Sequence, residues 1–103
     1  MSHLFDISGK VAVVTGGSRG IGLMIARGFV EAGAKTYISS RKADVCNAVA
    51  EELSGSGQCI SIPADLGSEA GCRYLADEVA KREEQVHILV NNAGATWGAP
   101  IAE

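Results

Sequence analysis

The sequence predicts an α/β fold: an open parallel sheet, strand order 3-2-1-4, with helices on both faces. Three observations predict it. Short apolar runs rich in β-branched residues alternate with longer amphipathic stretches along the chain. The stretches between the runs are long enough for crossover helices, which makes the strands parallel and the crossovers right-handed. Gly16, Gly33 and Pro63 fall where elements have to end.

Taken in order, "KVAVVT" (Lys10–Thr15) is a short apolar run stopped by glycines, hence a buried strand. From Arg19 to Glu31, Ile21, Met24, Ile25 and Phe29 recur at helical spacing, and Gly33 is a fitting stop. "KTYISS" (Lys35–Ser40) is the second strand, and Ala43 to about Leu53 the second helix, closed by "SGSG" (Ser54–Gly57). "QCISIPA" (Gln58–Ala64) is the third strand, with Pro63 near its end, where a missing N–H is tolerated. Ser68 fits as N-cap of a helix from Glu69 to about Glu83. "VHILVNN" (Val86–Asn92) is the fourth strand, and His87 within it is read as structural. A sheet ending on that strand has an uncovered edge, which is an aggregation liability. Residues 1–103 are therefore read as the N-terminal portion of one domain that continues past Glu103.

Composition narrows the function classes. The chain has 103 residues, 47% hydrophobic and 20% charged, with net charge −3 and no basic face for nucleic acid. No apolar run is long enough to span a bilayer, and "MSHLFDISGK" has no secretory pattern, so the expectation is a cytoplasmic protein without membrane or nucleic-acid partners. Cys46, Cys59 and Cys72 form no C-x-x-C pair and read as ordinary thiols, and no metal site is expected.

The stretch "TGGSRGIG" (Thr15–Gly22) carries the chemistry. A turn between a strand and a helix exposes unpaired N–H groups and the positive end of the helix dipole, which suits a phosphate. Gly16 would make the turn, Gly20 would allow close approach, and Gly22 would let the helix pack on the sheet. Ser18 and the backbone around Arg19 and Ile21 would donate hydrogen bonds. There is no G-K-[ST] ending, which excludes a triphosphate P-loop. The alternative is a tight turn that holds nothing. At the end of the second strand stand Ser40 and Arg41, where a carboxylate would mark NAD. Arginine there can grip a 2′-phosphate, and Arg19 can reach it from the other side, so NADP(H) is favoured over NAD(H). The competing reading makes Arg41-Lys42 a solvated loop. Asp44 is read as a helix-start residue that offsets the dipole.

"TGGSRGIG" together with "NNAG" (Asn91–Gly94) resembles the classical short-chain dehydrogenase/reductase family, whose cofactor motif T-G-x-x-x-G-x-G is filled by Thr15, Gly16, Gly20 and Gly22. Within it, "VTGGSRGIG" and "IPADL" are most similar to NADPH-dependent β-ketoacyl reductases. The resemblance covers essentially the whole chain but about the first two-fifths of a typical member. It implies a Rossmann-type dinucleotide fold and reversible ketone–alcohol interconversion on a small-molecule carbonyl or alcohol, possible substrates including 3-oxoacyl thioesters. It also implies a homodimer or homotetramer. Asp65 and Leu66 resemble the acid–apolar pair at the adenine; Asn92, Ala93 and Gly94 resemble the segment on the ribose and nicotinamide side. The competing readings are a loop carboxylate capping the next helix and, for Asn91-Asn92, a brace between strands. The family's Y-x-x-x-K is missing: Tyr37 is followed four residues on by Arg41, and Tyr74 by Glu78, so no catalytic residue is assigned. Two rivals stand beside this reading: a nucleotide-binding or regulatory module without turnover, and an NAD-dependent dehydrogenase of the same fold.

Overall fold

The computed structural model describes residues 6–92. Its elements follow as β1 (Val11–Thr15), α1 (Gly20–Glu31), β2 (Lys35–Ser39), α2 (Ala43–Leu53), β3 (Cys59–Ser61), α3 (Glu69–Arg82) and β4 (Ile88–Asn91). All strand pairs are parallel and the sheet order is β3-β2-β1-β4, as the sequence predicts.

Strand alternation divides the core into two clusters. Val14, Ile38 and Cys59 point to the face covered by α1 and α2, where they meet Ala26, Val30, Cys46, Ala50 and Leu53. Val11, Val13 and Tyr37 point to the other face, against Leu75 and Val79 of α3. Both faces of β1 are thus covered, and all five of its residues are buried. On the α1 face Val90 packs against the first cluster. On the α3 face Leu89 is 40% exposed and lines an apolar groove of about 370 Å³ between α3 and β4. No helix among the described residues is long and apolar enough to cross a membrane.

Two details depart from the sequence reading. The side of α1 that meets the sheet is Gly22, Ala26 and Val30, spaced by four, with Leu23, Ile25 and Phe29 on its flanks. Ile21 and Met24 are instead 68% and 71% exposed. Large apolar residues were expected to mark the buried stripe, but a helix lying close over the sheet presents small ones. Regular β3 is also shorter than Gln58–Ala64. Its pairing nevertheless runs the full length: Thr36 donates to the Gln58 carbonyl, Ile62 to Ile38 and Ala64 to Ser40. Pro63, which has no N–H, falls between the last two donors.

The edge of the sheet away from the strands' C-terminal ends is tied by side chains. Tyr37 Oη donates to the Glu83 carboxylate at 2.6 Å, and Lys35 forms an ion pair with the same carboxylate. Hydrogen bonds from Lys35 and then Tyr37 hold the Glu83 carboxyl below its usual value of 4.5. Burial, followed by the hydrogen bond to Glu83, pushes Tyr37 up. His87 Nδ1 accepts the Val11 N–H at 2.9 Å while the His87 N–H donates to the Val11 carbonyl, so a ring nitrogen opens the β1–β4 ladder. Cys46 and Cys59 are buried free thiols, and burial pushes Cys59 up to about 11.

A depressed carboxylate contributes stability that is present above its unfolded value and lost as pH falls through the folded one. Glu83 therefore stabilises the fold at neutral pH, and its contribution disappears as pH drops below about 4.5. Tyr37→Phe should cost about 2 kcal/mol at pH 7, the scale of a hydrogen bond to a charged group. Glu83→Gln should also flatten the acid limb of a stability–pH curve measured by denaturant unfolding. An unchanged acid limb in Glu83→Gln would refute the assignment.

Candidate functional site

In a parallel sheet every strand delivers its following loop to the same edge. Here those loops enclose a cleft of about 750 Å³. It is lined by Gly16, Ser18, Arg19, Gly20 and Ile21 after β1, and by Ser40, Arg41, Lys42 and Val45 after β2. Asp65, Leu66 and Gly67 after β3 and Asn92 after β4 complete it.

The β1–α1 turn is built by its glycines. Gly16 and Gly20 have φ of 70° and 62°, the left-handed region where side chains are strained. Gly22 serves a different purpose. A Cβ there would collide with the Gly16 carbonyl oxygen and stand 2.7 Å from Asn92 Nδ2. The missing side chain lets α1 sit down on the turn and leaves a slot for the Asn92 amide. The N-cap of α1 is Arg19, extended at φ −166° and ψ 169°, whose side chain makes no capping bond. The first intrahelical donor is Leu23, bonded to the Arg19 carbonyl, so the N–H groups of Gly20, Ile21 and Gly22 have no partner among the described residues. Arg19, Arg41 and Lys42 form no ion pair among the described residues. The Oγ of Ser40 is buried and likewise without a partner. Unpaired donors, unpaired cations and an orphaned hydroxyl facing one cleft fit a phosphate-bearing ligand.

The other walls are fixed by local bonds. Asp65 Oδ1 accepts the Gly67 N–H, while Ser68 caps α3 by accepting from Gly71 at 2.9 Å. The Asp65 side chain thus shapes a turn and leaves the helix cap to Ser68. Leu66 lines the cleft while its side chain joins the α3 core cluster. Thr15 Oγ1 accepts the Asn92 N–H at 2.8 Å and lies 3.1 Å from Asn91 Oδ1 as donor. The expected brace between neighbouring strands is therefore present at Asn91. Asp44 Oδ1 accepts the Val45 N–H in the first turn of α2, as its reading as a helix-start residue requires.

A family model for short-chain dehydrogenases matches residues 10–103. The chain belongs to the short-chain dehydrogenase family. It is 52% identical, over 101 residues, to the rhamnolipids biosynthesis 3-oxoacyl-[acyl-carrier-protein] reductase of Pseudomonas aeruginosa. That match covers 98% of this chain and 40% of the relative. It is 44% identical over 88 residues to the NADP-dependent (R)-specific alcohol dehydrogenase of Lentilactobacillus kefiri, covering 85% of this chain and 35% of that protein. The solved Pseudomonas aeruginosa RhlG/NADP active-site complex superposes with a TM-score of 0.87 at 52% identity, covering 92% of this chain and 38% of the other. This short-chain dehydrogenase chain thus spans two-fifths or less of these relatives' length.

Most sequence-assigned site residues converge on the cleft. Gly22 lies beneath it as a buried packing position, and Ala93 and Gly94 lie outside the described residues. Lys42, Val45 and Gly67 line it without having been assigned from sequence. For Lys42 the signal was at hand in "SSRK"; Val45 lies in the first turn of α2, directly after that basic pair. Among the described residues no group of three His, Cys, Asp or Glu could hold a metal.

Three substitutions test how the cleft is held. Gly22→Ala should destabilise by about 3 kcal/mol or more, since the collision is with backbone and α1 must move. Thr15→Val should cost about 1–3 kcal/mol by leaving the Asn92 N–H unpaired, and Thr15→Ser much less. Denaturant midpoints of the three variants check both, and a Thr15→Val protein as stable as Thr15→Ser would remove the brace.

Proposed function

We propose that the cleft binds NADP(H) and that this chain is the cofactor-binding portion of a short-chain oxidoreductase that interconverts a ketone and a secondary alcohol. The observation that carries the reading is the β1–α1 turn, where unpaired helix N–H groups face a cleft rimmed by the unpaired cations Arg19 and Arg41. In this reading the N–H groups of Gly20, Ile21 and Gly22, with Ser18, hold the pyrophosphate. Arg19, Ser40 and Arg41 hold the 2′-phosphate. Asp65 accepts from the adenine amino group, and the Leu66 N–H bonds the ring beside it. Asn92, kept in place by Thr15, begins the wall that continues through Ala93 and Gly94 on the ribose and nicotinamide side. The absence of a carboxylate at the tip of β2 favours NADP(H) over NAD(H).

The bound cofactor supplies a hydride to the carbonyl or accepts one from the alcohol. In this reading the chain's residues fix its position, and these 103 residues contain no Y-x-x-x-K pair to supply the proton. A 3-oxoacyl thioester is the substrate class that the 52% identity to the Pseudomonas reductase supports. A homodimer or homotetramer in the cytoplasm is the corresponding setting.

Calorimetric titration with NADPH and NADH tests the cofactor. NADPH should bind more tightly, and Arg41→Ala or Arg19→Ala should each weaken NADPH about tenfold or more, the worth of one charge-assisted contact, while leaving NADH unchanged. Equal affinities for the two dinucleotides would sink the NADP assignment; binding of neither would sink the dinucleotide reading itself.

A further inference from the structure

The start of β4 is fastened by a side chain. Val11, the first residue of β1, is buried, and both of its backbone groups bond His87. Its carbonyl accepts the His87 N–H at 2.9 Å, and its own N–H donates to His87 Nδ1 at the same distance. A backbone N–H can only donate. Nδ1 must therefore keep its lone pair, and the ring's single proton sits on Nε2. The bond thus fixes both the tautomer and the charge, because only the neutral ring can make it. A proton added at Nδ1 would set a donor against a donor and strip a part-buried N–H of its partner.

Little else holds β4 at that end. Among the described residues it is an edge strand, paired with β1 alone, and the regular pairing begins one residue later, at Ala12 and Ile88. Val86 and Leu89 are 42% and 40% exposed, so packing on the α3 side adds little. At the far end the strand is fastened again, where Thr15 Oγ1 accepts the Asn92 N–H. One side chain therefore closes each end of the β1–β4 ladder, and of the two only the imidazole can change charge near neutral pH.

The charged groups around His87 do not supply a replacement bond. Lys35 of β2 and Glu83 after α3 neutralise each other, Arg82 at the end of α3 is paired with Glu78, and Asp6 before β1 accepts the Ser8 N–H. Lys10 and Glu84 form no ion pair among the described residues and are opposite in sign. No carboxylate among the described residues is bonded to the ring, so a protonated imidazole would gain no partner there for the acceptor role it loses.

We propose that His87 is a proton-operated latch: neutral, it fastens the start of β4 to β1; protonated, it releases that end of the strand while β1, β2 and β3 stay paired. The sign follows from the bond. The latch is closed where the imidazole is neutral and opens as pH falls through the range, about 5 to 8, in which imidazoles take up a proton. Release moves Val86 and Leu89, which line the groove beside α3, so the opening is local and exposes that wall. The latch lies at the edge of the sheet opposite the cleft and does not depend on the cofactor reading.

Amide exchange of the 103-residue chain, followed residue by residue by NMR at about pH 7.5 and about pH 5.5, reads the latch on both sides of the imidazole range. Glu83 stays ionised at both values, since its carboxyl is held below 4.5. Protection of the Val11 and Leu89 amides should fall about tenfold at the lower pH, the worth of one hydrogen bond, while that of Val13 and Ile38 holds. The imidazole nitrogen spectrum at the upper pH should show Nδ1 unprotonated. His87→Asn places an oxygen acceptor where Nδ1 stands and cannot be protonated, so Val11 should stay protected at both values. His87→Phe has no acceptor, and Val11 should exchange fast at both. A proton on Nδ1 at the upper pH overturns the latch, as does protection of Val11 that does not change with pH. An equal fall at Val13 and Ile38 overturns it too, since the whole fold would then be opening. A pH-dependent fall that persists in His87→Asn, which retains the chain's other histidine, His3, assigns the effect to another group and overturns it.

Discussion

The seating of α1 on the Gly16 carbonyl is the contact on which the rest of the site depends. Only a residue without Cβ at Gly22 lets the helix descend that far. Once it has descended, three consequences follow from one geometry. The unpaired N–H groups of its first turn are brought to the C-terminal edge of the sheet. The stripe below them must stay small, which is why Ala26 succeeds Gly22 on the buried side. And the Asn92 amide gains a slot against the helix, so the loop after β4 is positioned by the same glycine that positions the loop after β1. Thr15 completes this by bonding the Asn92 N–H from the end of β1. A packing constraint, a hydrogen-bond brace and a ligand-facing helix end thus share a few residues.

The two edges of the sheet divide stability from binding. At the N-terminal edge polar groups are satisfied: Glu83 takes both Tyr37 and Lys35, and His87 and Val11 bond each other twice. At the C-terminal edge donors and cations are left over. Ser40 is the clearest case, since its neighbour Ser39 donates to the Ile62 carbonyl at 2.6 Å while the Ser40 hydroxyl has no partner among the described residues. Two adjacent serines on one strand end, one paired and one not, mark where the fold stops satisfying itself. The groove beside α3 is a different kind of surface. Its walls are mainly apolar, from Val13, Leu75, Val79 and Leu89, so it offers burial without the convergent donors of the cleft.

The topology was legible because it is written in features a one-dimensional pattern preserves: apolar runs, crossover-length spacers and glycine punctuation. The turn at Gly16 and the close packing at Gly22 were legible too, because both are demands on the backbone. The face of α1 was not. A periodic pattern weights Ile21 and Met24 by size, whereas the sheet selects Gly22 and Ala26 because they are small. The pairing of Lys35 and Tyr37 with Glu83 was equally hidden, for it joins residues 48 and 46 positions apart, and nothing local marks them. Lys42 was visible but could not be separated from a solvated loop charge until its place at a helix cap was known.

That last distinction carries a general argument about charge at helix ends. A basic residue in a surface loop costs nothing and signals nothing. The same residue at an uncapped N-terminus opposes the dipole by a few tenths to about 1 kcal/mol, a small penalty but one that a serine or aspartate would have turned into a gain. Among the described residues, the unpartnered Ser40 hydroxyl stands two residues before Lys42, the cap of α2. α3 supplies the internal control: the same sheet, the same crossover geometry, and a cap closed by its own serine. The difference between α2 and α3 is therefore hard to ascribe to the fold, which gives both helices the same kind of start.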